Sequence, residues 1–281
     1  MNRYEVVHTN AFKYQDTVRA SYNEARMIPV AGRGQRIVDV SVNIDPLSSR
    51  YDYTDYWGTR VVSFEVLRPH DHLTLVAASL VELAGPEGFD DPSATWEDLR
   101  DPALCDRQSV YLTHSHVTVV PDDVRALALD CIEGNSPHQA ALLISDAIRD
   151  AMEYVPGVTT VHTPASEAWQ ERKGVCQDIA HLTVGALRSV GIPALYVSGY
   201  YDPRAAADLD QETVVGQSHA WVEWWAGSWR PYDPTNRVVA GDQHVVVGRG
   251  REYDDVPPFK GVFAGGGRSE LDVSVAMTLK N

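Results

Sequence analysis

The chain has 281 residues, 44% hydrophobic and 22% charged, enough apolar material for one large domain or two ordinary ones and too much for general disorder or a fibre. Its 24 Lys and Arg against 39 Asp and Glu leave a formal charge of -15, which repels phosphate backbones and anionic membranes and so speaks against nucleic-acid or membrane partners. No apolar run approaches the roughly 20 residues that span a bilayer, and MNRYEVVHTNAF lacks a signal-peptide pattern, so the cytoplasm is the expected compartment.

Residues 4 to about 84 read as strands. RYEVVH, VRASYNEARMIPV, QRIVDVSVNID, TRVVSFEVLR and LTLVAASLVEL carry partial period-2 alternation and β-branched enrichment between turn signals. The pattern predicts a β-sandwich domain over residues 1–90. From Gly85 to Pro102 the acidic, turn-rich GPEGFDDPSATWEDLRDP has the composition of a domain connection, and a second domain is expected over 100–281.

LTHSHVTV reads as a strand with His114 and His116 on one side, but two histidines without a third ligand do not make a metal site. Helical spacing follows in PDDVRALALDCIEG, started by Pro121 with Asp122 and Asp123, and in SPHQAALLISDAIRDAMEYV, started by Ser136 and Pro137. Another helix runs from Cys176 to about Val190 and stops at Gly191. Strands follow in PALYVSGYY, SHAWVEWWA, GSWRPYD and QHVVVGR, and AGGG at 264–267 is a turn before the final strand SELDVSVAMTL. The acidic segment YDPRAAADLDQETVVGQ between two of these strands is a surface loop or a gate. The second half is thus α+β.

Cys105, Cys131 and Cys176 are too few and too widely spaced for a disulfide framework or a metal knuckle. Cys131 lies on the apolar side of a helix and Cys105 in a weakly patterned segment, so both read as structural. Cys176, in GVCQDIAHL, stands at a helix start, where unpaired N–H groups and the macrodipole favour a thiolate. Gly174 lets the chain turn into that helix. A thiol nucleophile needs a base and a group that orients the base. His219 opens a strand 43 positions later (219 − 176 = 43), and Asp233 closes the next strand after 14 more (233 − 219 = 14). Neighbouring antiparallel strands can bring both to one sheet end. His181 is turned away from the thiol by the helix, and Asp178 favours the helix N-terminus while opposing a thiolate.

These residues carry a family resemblance. Gly-Val-Cys-Gln-Asp with its apolar helix, GIPALYVSGYY, SHAWVEWW and YDPTN resemble, in the order Cys, His, Asp, the core of the bacterial transglutaminase-like superfamily of papain-type cysteine enzymes. The resemblance covers about 100–265 and includes GREYDDVPPFKGVF as its tail; the N-terminal strands resemble the β-domain that often precedes the core. It implies a central helix bearing the cysteine packed on an antiparallel sheet, with Cys176 as nucleophile, His219 as general base then acid, and Asp233 as orienting acceptor. The backbone N–H of Cys176 is the natural first oxyanion donor. Gln177, Trp169 and Tyr196 are candidates for the second by proximity, and Trp221 either lines a substrate groove or belongs to the core.

The function that follows is attack on a peptide or protein amide through a Cys176 thioester, with hydrolysis favoured over transfer to an amine. An acyltransferase of the arylamine N-acetyltransferase type shares the triad order, and a non-catalytic binding module shares the fold. No basic phosphate site suggests acyl coenzyme A, no acidic loop has calcium-ligand spacing, and no cofactor or metal is expected. The sequence leaves the oligomeric state open.

Overall fold

Alternating burial decides the first element. β1 (Asn2–Ala25) is one strand of 24 residues, not the two expected, because the polar run after Lys13 is absorbed as a register shift between Lys13 and Val18. The structure, a computed structural model, describes residues 1–85, 94–203, 213–215, 217–265 and 267–280. β2 (Gln35–Asp45), β3 (Ser49–Thr54), β4 (Arg60–Val66) and β5 (His70–Leu83) complete the N-terminal run. The first half of β1 pairs with β5 (Tyr4↔Val81) and its second half with β4 (Asn23↔Phe64), all antiparallel. The two halves of this curled sheet enclose a core of Val18, Met27, Ile28, Phe64, Leu73 and Leu75.

The middle of the chain is helical: α1 (Pro102–Arg107), α2 (Ser109–Leu112), α3 (Asp122–Ile132), α4 (Pro137–Ala151), α5 (Ala165–Glu171) and α6 (Cys176–Ser189). Two-residue strands β6 (Glu153–Tyr154) and β7 (Lys173–Gly174) pair in parallel just before α6. The expected start of α4 is present in detail, since the Ser136 side chain accepts from the Gln139 N–H and the Gln139 side chain accepts from the Ser136 N–H. His114 and His116 lie in a turn after α2 rather than on a strand; His114 bonds the Thr118 carbonyl and the Thr118 hydroxyl accepts from the Ser115 N–H, closing the turn locally.

β8 (Ala194–Tyr201), β9 (Thr213–Val215), β10 (Gln217–Trp225), β11 (Trp229–Tyr232), β12 (His244–Gly250), β13 (Phe259–Gly265) and β14 (Ser269–Lys280) follow. Four of them form an antiparallel sheet in the order β11-β10-β8-β12. One face takes α6: Ile179, Leu182 and Ala186 share a core with Tyr196, Val222 and Trp224. The α+β architecture and the cysteine-bearing helix on an antiparallel sheet are those expected.

The end of the chain departs from the expected boundary. β14 lies beside β1 (Tyr4↔Leu279) and β13 beside the second half of β1 (Tyr22↔Val262). Residues 259–280 therefore complete the first sheet instead of closing the domain expected over 100–281. An unpaired edge of so long a strand would expose a row of backbone donors and acceptors. β14 removes that edge.

Tyr4, Val6, Val81 and Leu83 of the first sheet pack with Tyr200, Val245 and Val247 of the second. The Gln35 amide clamps the seam, accepting from the Val246 N–H at 2.8 Å and donating to the Val246 carbonyl at 2.8 Å. Buried His8 bridges Asn10 and the Tyr200 hydroxyl at 3.0 and 2.9 Å. Burial pushes its imidazole down to about 4, against the opposing hydrogen bond of Asn10. Among the described residues no helix is long and apolar enough to cross a membrane.

Candidate active site

Cys176 is the first residue of α6 and is half-buried. The entering turn is held by Asp178, whose Oδ2 accepts from the Val175 N–H and the Thr159 hydroxyl, each at 2.7 Å. That carboxylate explains Gly174: a Cβ there would stand 2.7 Å from the Asp178 Cβ. The glycine is required by close approach rather than by the tight turn expected. Asp178 is 1% exposed; burial raises its carboxyl pKa, and the Val175 N–H and the Thr159 hydroxyl oppose the rise. Its work is capping.

Sheet order places β10 beside β11 in register Val222↔Tyr232, so His219 near the start of one meets Asp233 just past the end of the other. The His219 Nε2–H donates to Asp233 Oδ2 at 2.7 Å, and Asp233 is fully buried. Asp233 Oδ1 accepts from the backbone N–H groups of Thr235 and Asn236 at 3.0 and 3.2 Å. Oδ2 also accepts from the Asn236 amide at 2.7 Å and from His244 Nε2 at 3.2 Å. Every partner is a donor, which fixes Asp233 as a carboxylate.

Burial alone would lower the His219 pKa. The charge and hydrogen bond of Asp233 outweigh it, nearby Cys176 adds to the rise, and the imidazole reaches about 10. Burial would raise Asp233, but the two histidines hold it well below the usual carboxylate range. Asp233 and Cys176 thus favour the imidazolium over the neutral ring. Its Nδ1 is buried and makes no hydrogen bond among the described residues.

The chain resembles known proteins over its whole length. Residues 125–234 match the transglutaminase-like superfamily and residues 4–82 the bacterial transglutaminase-like N-terminal region. Uncharacterized protein ML0607 of Mycobacterium leprae is 40% identical over 281 residues, covering 99% of both chains. The chain belongs to the transglutaminase-like superfamily. Uncharacterized protein Rv2569c of Mycobacterium tuberculosis is 32% identical over 98% of this chain and 92% of its own. Among solved structures, a Cytophaga hutchinsonii protein described as a "putative cysteine protease" shares the fold with a TM-score of 0.73 at 18% identity, covering 99% of this chain and 98% of that one. That likeness shows a fold shared along the whole chain.

Within this family frame the structure redistributes the other expected residues. Trp169 donates its indole N–H to Asp123 at 2.7 Å and lies under the Arg172 guanidinium, 3.5 Å from its ring; it packs in the core and its donor is taken. The Gln177 amide donates to the Val161 carbonyl at 3.0 Å, pinning the segment before α5 instead of facing the thiol. Tyr196 is 2% exposed, its ring 5.0 Å from that of His181. Burial raises its phenol well above the ordinary value, and the negative charge of Cys176 adds to this, so its hydroxyl keeps its proton beside the site. Trp221 is 1% exposed, with its ring 6.2 Å from that of His219, and packs with Leu195, Val197 and Ala240. Gly199 makes room for it, since a Cβ there would lie 2.6 Å from the indole.

Cys105 bonds the Leu99 carbonyl and Cys131 packs on the helical core. His181 is fully buried, accepts from the Tyr253 N–H at 3.1 Å and is pushed by burial down to about 3. Most of the acidic segment 201–217, where a gate was considered, lies outside the described residues.

Three residues at the site escaped the sequence reading. Tyr154, paired with Gly174, is 39% exposed, and its phenol is raised by burial and then by the charges of Cys176 and Asp233. Asn236 was visible only as the end of YDPTN. His244 stood in a strand with no sign of where its ring would go. With His219 and Asp233 it brings three donor atoms within 4.8 Å of one another. Both imidazoles point at the same carboxylate oxygen, so protons satisfy the set as it stands.

Proposed function

We propose that this transglutaminase-like protein is a cysteine enzyme that attacks the carbonyl of a peptide or protein amide, with Cys176 as nucleophile, His219 as base and acid, and Asp233 as orienting acceptor. The observation that supports the reading is the buried 2.7 Å His219–Asp233 bond, which leaves Nδ1 without a hydrogen-bond partner among the described residues, with Cys176 at the start of α6 close enough to raise the imidazole's pKa.

The Cys176 thiol passes its proton to His219 Nδ1 as its sulfur adds to the carbonyl carbon. The backbone N–H of Cys176 meets the developing oxyanion. As the C–N bond breaks, His219 returns the proton to the departing amine and leaves a thioester. Water, deprotonated by the now neutral imidazole, releases a carboxylic acid and restores the thiol. We favour hydrolysis because an acceptor amine would have to be held in attack geometry, whereas water needs no such pocket. The reducing cytoplasm is a fitting compartment for such a thiol.

The test is iodoacetamide alkylation mapped by peptide mass across a pH series, in the native chain and in His219→Ala. The reading expects Cys176 to be labelled fastest near neutral pH, with a profile that the histidine change displaces. Equal labelling of all three cysteines, or a profile indifferent to His219→Ala, would remove its basis. A glutamine-peptide screen with and without a labelled amine then separates hydrolysis from transfer.

A further inference from the structure

We infer that His244 is a positioning residue of this site, holding Asp233 in place through its Nε2–H and so keeping His219 aimed at Cys176. The inference rests on the Cys176, His219, Asp233 reading.

The placement needs an unusual path. In the order β11-β10-β8-β12, Asp233 leaves one edge strand and His244 opens the other. The intervening chain crosses the sheet end, and the carboxylate comes to lie between two imidazoles. His244 is 4% exposed, packed at 4.7 Å from the Tyr201 ring and 5.2 Å from the Trp221 ring. Its Nε2 faces Asp233 Oδ2 at 3.2 Å, and its Nδ1 accepts from the Gly241 N–H at 3.4 Å. One nitrogen must donate and the other accept, so the ring is the neutral Nε2–H tautomer. His219 and Asp233 are the titrating groups beside it, with Asp242 and the Tyr201 phenol nearby. Burial favours the same neutral form, against the pull of Asp233.

A neutral donor suits the task. A second imidazolium would compete with His219 for the charge of Asp233, whereas an N–H dipole fixes the carboxylate without removing that charge. With donors from His219, Asn236 and His244 all on Oδ2, the group is held against rotation and has little capacity to take a proton from His219. His244 lies ten positions beyond the family match that ends at residue 234 (244 − 234 = 10), so the match itself assigns it nothing.

Alkylation of Cys176 reads the effect without a known substrate. His244→Phe keeps a ring in the packed site and removes the donor, while His244→Gln keeps an N–H. The proposal expects His244→Phe to slow alkylation near pH 7 about tenfold, the rate equivalent of one hydrogen bond, and to displace the pH profile. His244→Gln should recover most of the rate. Wild-type rate and profile in a folded His244→Phe chain, judged by its unfolding midpoint, overturns the proposal. If His219→Ala also leaves the profile unmoved, the triad reading itself has failed, which tells the two failures apart. Nitrogen-15 spectra of histidine-labelled wild-type protein decide the matter even if the Phe variant does not fold. A neutral Nε2–H tautomer for His244 from pH 5 to 8 is required, and an Nδ1–H or protonated ring would overturn it.

Discussion

Two carboxylates are buried on the same sheet, and they are held by different kinds of partner. Asp233 sits at the sheet end among five donors, two of them imidazoles. Glu223, 2% exposed, is gripped by Arg249 at 2.9 Å and by Arg33 from the turn before β2. Arginines keep their protons at any physiological pH, so the Glu223 cluster is a fixed clasp between the two sheets. Imidazoles exchange protons, so the Asp233 cluster can take part in chemistry. On the proposed reading, what separates the two clusters is not burial or pairing but the partners' ability to change charge.

Four measurements can break or sharpen that contrast. Cys176→Ala should abolish covalent labelling at this position and reduce any amide turnover by about 10³-fold or more, while leaving both carboxylate clusters folded.

Asp233→Asn should cost about 10²-fold or more in turnover by misorienting His219, and its stability defect should depend on pH. His219, raised from 6.5 to about 10, stabilises the fold fully below pH 6.5 and loses that contribution as pH rises through 10. Asp233, lowered from 3.8, contributes above pH 3.8 and loses it as pH falls below. Urea unfolding should therefore show the widest gap from wild type between roughly pH 4 and 6.5, narrowing at pH 9. A constant gap would mean that Asp233 acts only by packing.

Glu223→Gln should do the opposite. It should lower unfolding free energy by about 1–3 kcal/mol through unpaired arginines, with Cys176 labelling unchanged. A tenfold loss of labelling would erase the distinction between clasp and site.

His8 belongs to the seam as well but titrates, and its sign is reversed relative to His219. Lowered from 6.5 to about 4, it adds stability that is complete above pH 6.5 and lost as pH falls towards 4. Wild type should lose about 1–2 kcal/mol between pH 6.5 and 5 that His8→Gln does not lose, as measured by urea midpoints.

What the sequence disclosed follows from how local each signal is. The start of α6 at Cys176 was legible because Gly-Val precedes an apolar periodic run, and the approach of His219 to Asp233 because their strands are short and consecutive. Asp233 and His219 do meet, at hydrogen-bonding distance. The partners of Trp169 and Gln177 were hidden because Asp123 and Val161 lie elsewhere along the chain, and proximity in sequence to Cys176 says nothing about which acceptor an amide or indole finds first. His244 was hidden because the alternation of HVVVGR gives a strand but not the crossing segment that carries the ring to Asp233. The return of β13 and β14 was missed for a related reason: a strand's own pattern specifies which face is buried, not which neighbour it pairs with.

That return also bears on the order of assembly. β1 has β14 as a lateral neighbour from Arg3↔Lys280 to Tyr14↔Ser269, although the whole helical half is synthesised between them. During translation β1 can pair with β5, but the other flank of its first half stays open until β14 arrives. Nascent chains thus pass through a stage with a long exposed edge. The pairing of β14 with β1 is a high-contact-order step, of the slow kind.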